Sequence, residues 1–167
     1  MTTNLQLAKE VSKHVELRSI LLKNAKVESW IESWKTPKTL NITQEHRCIP
    51  TEVNEEGARF IKVLAEFRFV ATAKEEAKED ADVANLEAAF VLTYGLPSDA
   101  QFDSKCLKHF ADLNGVYNAW PYWRELVQTA TGRIGLAGIM VPVYRPTASE
   151  VPDDAGDQLP APMSATS

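Results

Sequence analysis

The chain has 167 residues, 44% hydrophobic and 25% charged, which is the size and composition of one globular domain. Its net charge of −5 argues against nucleic acid as a partner, because binding a phosphate backbone requires a basic face. Residues 1–14 are charged and lack the apolar run of an export signal, and no stretch approaches the roughly twenty apolar residues that span a bilayer. We therefore expect a cytoplasmic protein without membrane insertion.

The first third of the chain predicts one helix and two strands. Asn4–Ser12 has its apolar residues on one helical face, with Asn4 as a possible cap. From residue 15 the apolar period changes to two, which predicts a strand whose one side carries Val15, Leu17, Ser19 and Leu21. A polar connection follows, and Thr39–His46, rich in β-forming residues, predicts a second strand.

Two longer alternating runs predict a hairpin in the middle of the chain. Phe60–Ala73 and Val83–Tyr94 each place apolar side chains on one face and polar or charged side chains on the other. The charged stretch Lys74–Asp82 separates them. Such a pair predicts antiparallel strands of a sheet with one solvated face.

Beyond Gly95 the apolar period becomes 3.6, which predicts two helices. The apolar face of the first helix carries Phe102, Cys106, Phe110 and Leu113. Asn114 and Gly115 are predicted to end this helix. Asn118 and Pro121 are predicted to begin the second, because proline suits a first helical turn.

A last apolar stretch, Ile139–Tyr144, precedes a segment of different composition. Thr147–Ser167 holds four acidic residues, three prolines and no basic residue, and its lack of apolar periodicity predicts a disordered tail. We therefore expect a folded domain over residues 1–146 and a tail over residues 147–167. Strands followed by helices predict an α+β fold, an antiparallel sheet of about four strands with two C-terminal helices on one side.

The sequence shows no catalytic motif. It contains no glycine-rich phosphate loop, no G-x-S-x-G elbow and no H-E-x-x-H pair, so we expect neither an enzyme nor a cofactor. His46 with Cys48 and Cys106 with His109 could in principle form a zinc site. The spacing H-x-C is unusual for zinc, and Cys106 lies on an apolar helical face, so we predict buried thiols and no metal.

All four tryptophans lie in two places. Trp30 and Trp34 flank the polar connection after the first strand, whereas Trp120 and Trp123 lie with Tyr122 at the start of a predicted helix. Two interpretations stay open, because large aromatic residues usually lie in the core but could here line a groove between loop and helix start. Residues 120, 122 and 123 cannot all face one side of a helix, so at least one is expected to point outward.

The same helix start resembles a motif of the SecB family of export chaperones. Ala119–Glu125, A-W-P-Y-W-R-E, is similar to F-P-Y-x-R-E at the start of the family's long helix. Gly132–Gly135 and Ile139–Tyr144 resemble the family's R-G-x-F turn and L-x-P-V-N-F segment, and Trp34–Ile42 resembles its crossover loop. The resemblance covers Val15–Tyr144 in the same order of elements.

Other features depart from the export chaperones of this family. Ile49–Gly57 and Lys74–Asp82 look longer than in those proteins. The acidic sheet face with which the family docks the translocation ATPase SecA cannot be matched residue by residue. The family also includes divergent members that guard an aggregation-prone antitoxin in a toxin–antitoxin system, and that role is the alternative to protein export.

The resemblance implies an ATP-independent holdase that binds unfolded preproteins or an antitoxin, with SecA as a further partner in the export role. It implies a homotetramer, a dimer of dimers, paired through the helix that carries Phe102, Phe110 and Leu113. The client groove would be lined by Trp30, Trp34, Trp120, Tyr122, Ile139 and Met140. A further alternative is a small-ligand or enzyme domain in which the aromatic cluster surrounds a pocket.

Overall fold

The computed structural model describes residues 2–32, 34–35, 37–74, 80–136 and 138–149. Its elements in chain order are α1 (Asn4–Ser12), β1 (Glu16–Ser29), β2 (Leu40–Glu55), β3 (Ala58–Ala73), β4 (Ala81–Leu96), α2 (Ser104–Phe110), a π-helical segment (Ala111–Gly115) and α3 (Val116–Arg133). The four strands form one antiparallel sheet in the order β1–β4–β3–β2, and the C-terminal helical layer packs on one of its faces. This architecture confirms the predicted α+β fold.

The central strands β3 and β4 carry the core. Their residues alternate between buried and half-buried positions along most of their length, as the period of two predicts. Apolar side chains from the sheet meet the inner face of the helices, and the largest fully buried ones are Ile61, Phe67, Phe69, Leu86, Leu92, Phe110 and Trp123. The predicted hairpin is thus confirmed, although residues 75–79 of its charged connection lie outside the described part of the chain.

The two predicted helices form one continuous helical run. The prediction that Asn114 and Gly115 end the first helix is wrong, because Gly115 has helical dihedral angles, φ −61° and ψ −51°. A Cβ atom at Gly115 would lie 2.9 Å from Cγ1 of Val63, so glycine is required for close approach to the sheet. Pro121 likewise lies inside α3 and does not begin it. Packing on the sheet therefore overrides two local helix-breaking signals.

Strand β1 forms one edge of the sheet, and its side chains do not follow the predicted alternation. The register shifts between Leu17 and Ser19 and again between Leu22 and Asn24. Directly paired residues point to the same face, so Leu22, opposite Phe90, faces the helices and Leu21, opposite Val91, faces away. Val15, Leu17, Ser19 and Leu21 consequently do not share one side. Leu21 is 64% exposed and Leu22 is 53% exposed.

The N-terminal helix is tied to the end of the described chain. Thr3, not the predicted Asn4, caps α1, in a capping box with Gln6. Asn4 is buried; its backbone N–H donates to the Ser149 carbonyl over 3.0 Å, and its side-chain oxygen accepts from the Ser149 N–H over 2.8 Å. The beginning of the predicted tail therefore contacts α1, and residues 150–167 lie outside the described residues.

Substituting Gly115→Ala tests the close approach of helix and sheet. The added methyl group must displace Val63, so we expect a loss of about 1–3 kcal/mol in the free energy of unfolding. Gly132→Ala is the matched control, since Gly132 lies in α3 and a Cβ atom there meets nothing within 4 Å. The control should be stabilised by about 0.4–1 kcal/mol. Denaturant unfolding measures both, and equal effects would contradict the packing argument.

Candidate functional site

The predicted helix-start aromatic residues divide between core and surface. Trp123 is fully buried and stacks on Phe67 with ring centroids 5.3 Å apart. Trp120 is 9% exposed and packs edge-on against His46, with centroids 5.8 Å apart. Tyr122 is half exposed on another side of α3. The prediction that at least one of these three residues points outward is confirmed.

Residues 139–146, here called the strap, run without regular secondary structure beside α3. The indole N–H of Trp120 donates to the Pro142 carbonyl over 2.7 Å, and Nε of Arg124 donates to the Val141 carbonyl over 2.8 Å. The Val141 side chain is buried in the core. Side chains of α3 thus hold a non-helical backbone through two successive carbonyls, and such bonds are available to a backbone of any sequence.

The aromatic cluster at the end of the strap joins it to the sheet and the π-helical segment. Tyr144 packs against Trp120 and His46, with centroids 5.4 and 5.8 Å apart, and its hydroxyl donates to the Asp112 carbonyl over 3.4 Å. Burial lowers the pKa of His46 and raises the pKa of Asp112. Both shifts act in favour of the neutral form of the side chain, because burial penalises its charged form.

A cavity of about 320 Å³ lies between α3 and the strap. Its lining is mainly aromatic and aliphatic, and consists of Tyr117, Asn118, Trp120, Pro121, Arg124, Val143 and Tyr144. Tyr117 and Val143 are more than half exposed. Sequence reasoning missed Tyr117 and Arg124, although positions 117, 120, 121 and 124 have the spacing of one helical face. The cavity can accept apolar side chains beside a few polar groups.

A second apolar surface lies between α3 and the edge strand. Tyr122 packs near Phe90, with ring centroids 6.3 Å apart, and Leu22 is paired directly opposite Phe90. Val27 lies further along β1, opposite Leu86, and is 44% exposed. The sequence pattern did not predict that these β1 side chains face the helices. The register shifts that turn them cannot be recognised from the order of apolar residues.

The remaining predicted groove residues lie in three places. Trp30 follows β1 directly, and its backbone N–H donates to the Val83 carbonyl at the start of β4. Trp34 is 82% exposed in the connection to β2. Ile139 packs against the core at the start of the strap, and Met140 beside it is exposed. The structure therefore brings Trp120 to the strap and Tyr122 to β1, on separate sides of α3.

The predicted oligomer-interface residues lie mostly inside the protomer. Phe110 is 1% exposed and packs against Tyr94 with ring centroids 4.9 Å apart. Leu113 is also buried, and Phe102 is half-buried against the core and near His14. A pairing through this helix would have to use other residues of its surface.

The outer sheet face, which points away from the helices, carries paired charges. Arg47 contacts Glu66 over 2.6 Å, and Arg68 contacts Glu87 over 3.6 Å. On β1, Lys26 contacts Glu28 over 3.1 Å, and this contact lowers the pKa of the Glu28 carboxyl. Glu66, Glu87 and Glu28 on this face thus each have a basic neighbour at short distance.

The two cysteines considered for zinc are both thiols whose pKa is raised. Cys48 is buried beside Gly115, and burial raises the pKa of its thiol. Burial and a hydrogen bond with Asp103 raise the pKa of Cys106 to about 11. Both thiols are therefore protonated at neutral pH. Within the described ranges, no group of three or more His, Cys, Asp or Glu side chains could hold a metal ion.

Comparison with known proteins connects this arrangement to a known fold. No protein-family model matches the chain, and no curated protein matches it. Among solved structures, a Mycobacterium tuberculosis SecB-like chaperone in complex with a ChAD peptide from the HigA1 antitoxin matches with a TM-score of 0.60 and 18% identity. The match covers 85% of this chain and 98% of that chain. The fold is therefore SecB-like, as the resemblance implied.

A second solved structure, a protein of unknown function from Streptococcus agalactiae, matches with a TM-score of 0.42 and 12% identity. That match covers 77% of this chain and 96% of the other.

In the part of the chain that the structure describes, no helix is both long and apolar enough to cross a membrane.

Substituting Arg124→Met tests how α3 holds the strap. The variant keeps the apolar stem but leaves the Val141 carbonyl without its donor, so we expect a loss of about 1–3 kcal/mol in unfolding free energy. Amides of residues 139–146 should exchange with deuterium faster than in the unmodified protein. Arg133→Met, on the exposed last turn of α3, is the control and should change stability by less than about 0.5 kcal/mol. Unchanged exchange in the strap would contradict this role of Arg124.

Proposed function

We propose that this protein is an ATP-independent chaperone of the cytoplasm that holds a non-native polypeptide, and that its client is an antitoxin. The observation that carries the proposal is the exposed apolar surface on both sides of α3, in a SecB-like fold. Apolar burial contributes about 25 cal/mol per Å² and has no directional requirement, so such surfaces suit chains without fixed structure. The M. tuberculosis chaperone that shares this fold binds an antitoxin peptide, which supports this choice of client.

The client would bind in extended form beside α3. The strap already occupies part of this helix in that way, with carbonyls that accept hydrogen bonds from Trp120 and Arg124. Pro121 has no N–H to donate to the Tyr117 carbonyl four residues earlier, and both residues line the cavity. A client backbone can donate to this oxygen while its apolar side chains enter the cavity.

Protein export is the second candidate function, and the charges on the outer sheet face weigh against it. In the export family an acidic sheet face docks SecA. Here Glu66, Glu87 and Glu28 each have a basic side chain within 4 Å. Paired charges attract a basic partner less strongly than unpaired acids do. The antitoxin role, which does not call for a SecA contact, fits this surface better.

A small-ligand or enzyme site at the aromatic cluster has less support. The cavity beside α3 is lined by aromatic and aliphatic groups, with Arg124 as its one ionisable lining residue besides two tyrosines. The Arg124 Nε already donates to the strap. Binding sites for small polar substrates bring several polar groups to one point, and this lining does not.

We further propose that the protein assembles as a dimer of dimers. β1 forms a sheet edge of 14 residues, and long edges with exposed apolar side chains are templates for pairing with another chain. Leu21 and Leu22 are more than half exposed, on opposite faces of that edge. Pairing β1 with β1 of a second copy would cover both and would place two α3 helices on one face of a joined sheet.

We further propose that Trp34, exposed in the connection to β2, extends the client surface beyond α3, and the variants Trp34→Ala and Tyr122→Ala test this surface. We expect each to weaken binding of an unfolded client by about 2 kcal/mol, because exposed aromatic residues are frequent hot spots of binding. The stability of Trp34→Ala should change by less than about 0.5 kcal/mol, since this side chain is 82% exposed. Trp123→Ala is the control, and the loss of this buried ring should cost about 3–5 kcal/mol of stability.

Two measurements on each variant separate loss of client binding from loss of stability. The first is suppression of client aggregation, and the second is the melting temperature of the variant itself. If the unmodified protein suppresses aggregation of neither a slow-folding client nor an antitoxin, the proposed function is wrong.

Light scattering tests the assembly. The mass in solution should be about four times the chain mass of 18.6 kDa, as expected for a dimer of dimers. Leu21→Lys places a charge on the exposed edge strand, so it should reduce the assembly. Lys23→Leu, on the same strand, is a control that adds no charge. A monomer at micromolar concentration would contradict the proposed assembly.

A further inference from the structure

The described chain ends at a defined point on the surface. The backbone N–H of Ser149 donates to the Asn4 side-chain oxygen over 2.8 Å, and the backbone N–H of Asn4 donates to the Ser149 carbonyl over 3.0 Å. The Asn4 side-chain amide also donates to the Thr147 carbonyl over 3.1 Å. Asn4 is the first residue of α1 and is only 9% exposed. The following 18 residues, 150–167, therefore start beside the N-terminal end of α1.

A groove that the described residues leave open begins next to this point. A cavity of about 160 Å³ lies between α1, the helical run and the strap, and is lined by Leu5, Ala8, Lys9, Ser12, Leu113, Asn114, Tyr117 and Pro146. Leu5 directly follows Asn4 and is 42% exposed, and Tyr117 opposite is 58% exposed. The groove therefore offers apolar contacts one residue away from where the chain is anchored.

Lys9 lines this groove, and α1 and the neighbouring α2 carry more basic than acidic residues, whereas residues 150–167 are acidic. With their flanking cap residues, α1 and α2 carry four lysines, Lys9, Lys13, Lys105 and Lys108. Their two acids are Glu10, which contacts Lys13 over 3.2 Å, and Asp103, which accepts from the Cys106 N–H. Residues 150–167 contain four acids and no base. Charge complementarity thus favours this segment along α1.

The length of the segment fits the groove. The acids fall within residues 150–157, next to the anchor, together with the apolar Val151. Eight extended residues reach about 26 Å, at about 3.3 Å per residue, whereas the nine residues of α1 span about 14 Å. Because the segment is tethered at Ser149, its effective concentration at the groove is high, and weak contacts suffice to hold it.

We propose that residues 150–167 dock along α1 of the same chain, with their carboxylates toward Lys9 and the neighbouring lysines and with Val151 in the groove between Leu5 and Tyr117. This docking makes α1 the interaction surface for the acidic segment. Tyr117 also lines the cavity between α3 and the strap, so the docked segment borders that cavity.

Hydrogen–deuterium exchange of the full-length protein tests the docking. Docked residues cover α1, so amides of α1 should exchange about threefold or more faster once the segment is neutralised. The neutral variant carries four substitutions, Glu150→Gln, Asp153→Asn, Asp154→Asn and Asp157→Asn. The control variant carries four neutralising substitutions at the opposite end of the sheet, Glu28→Gln, Glu32→Gln, Asp80→Asn and Asp82→Asn. The exchange rates of the α1 amides should be unchanged in this control.

A charge exchange provides the second arm. Lys9→Glu should speed exchange of the α1 amides as the neutral segment does, and adding Asp153→Lys with Asp154→Lys should restore slow exchange. The proposal is overturned if neutralising the segment leaves the exchange rates of the α1 amides unchanged. It is also overturned if the neutral variant speeds their exchange no more than the control variant does. Protection of α1 that falls on tenfold dilution also overturns it, since the segment would then lie on a second copy.

Discussion

The close contact between the helical run and strand β3 is the constraint on which the other features depend. At Gly115 the helix backbone approaches the sheet so closely that no Cβ atom fits beside Val63. This contact lies where the π-helical segment meets α3, and a π-helical turn changes which residues of the following helix face the sheet. This rotation of α3 about its axis determines where Tyr117, Trp120 and Tyr122 lie around the helix. Two apolar surfaces of different character therefore lie along one helix.

On one side of α3 the protein shows how this helix holds a non-helical backbone. Trp120 and Arg124 donate to successive carbonyls of the strap, and the Val141 side chain enters the core. Such contacts combine backbone hydrogen bonds, which any sequence can make, with pockets that accept apolar side chains. This combination is what a protein needs to hold segments without fixed structure. The proposed client would extend a mode of contact that the chain already makes with itself.

On the other side, edge strand β1 exposes apolar side chains that an isolated protomer leaves in water. Native sheets usually protect an edge with charge, proline or a short length. The opposite edge, β2, contains Pro50, whereas β1 has no proline and exposes Leu21 and Leu22. The outer sheet face between the edges carries ion pairs such as Arg47 with Glu66. The asymmetry between the two edges suits an assembly in which only β1 is covered.

The period of two along β3 and β4 was sufficient to predict the hairpin and the buried face, because in a strand with one face in the core the side-chain direction follows position alone. The α+β class and the outward position of one residue of the 120–123 cluster follow from equally local rules. Other features required contacts between residues distant in sequence. A glycine can end a helix or allow close approach, and only the contact of Gly115 with Val63 decides between the two.

The register shifts in β1 likewise depend on its pairing with β4, and they turn Leu21 and Leu22 to faces that the apolar pattern cannot assign. Trp120 is held in place by a carbonyl 22 residues later, in a strap whose position the local sequence does not specify. Local periodicity thus identified β3 and β4 as strands, whereas for β2 the composition predicted only the first part of the strand, Thr39–His46 of Leu40–Glu55. Tertiary packing decided which of their side chains remain exposed, because exposure depends on what covers a residue and not on the residue itself.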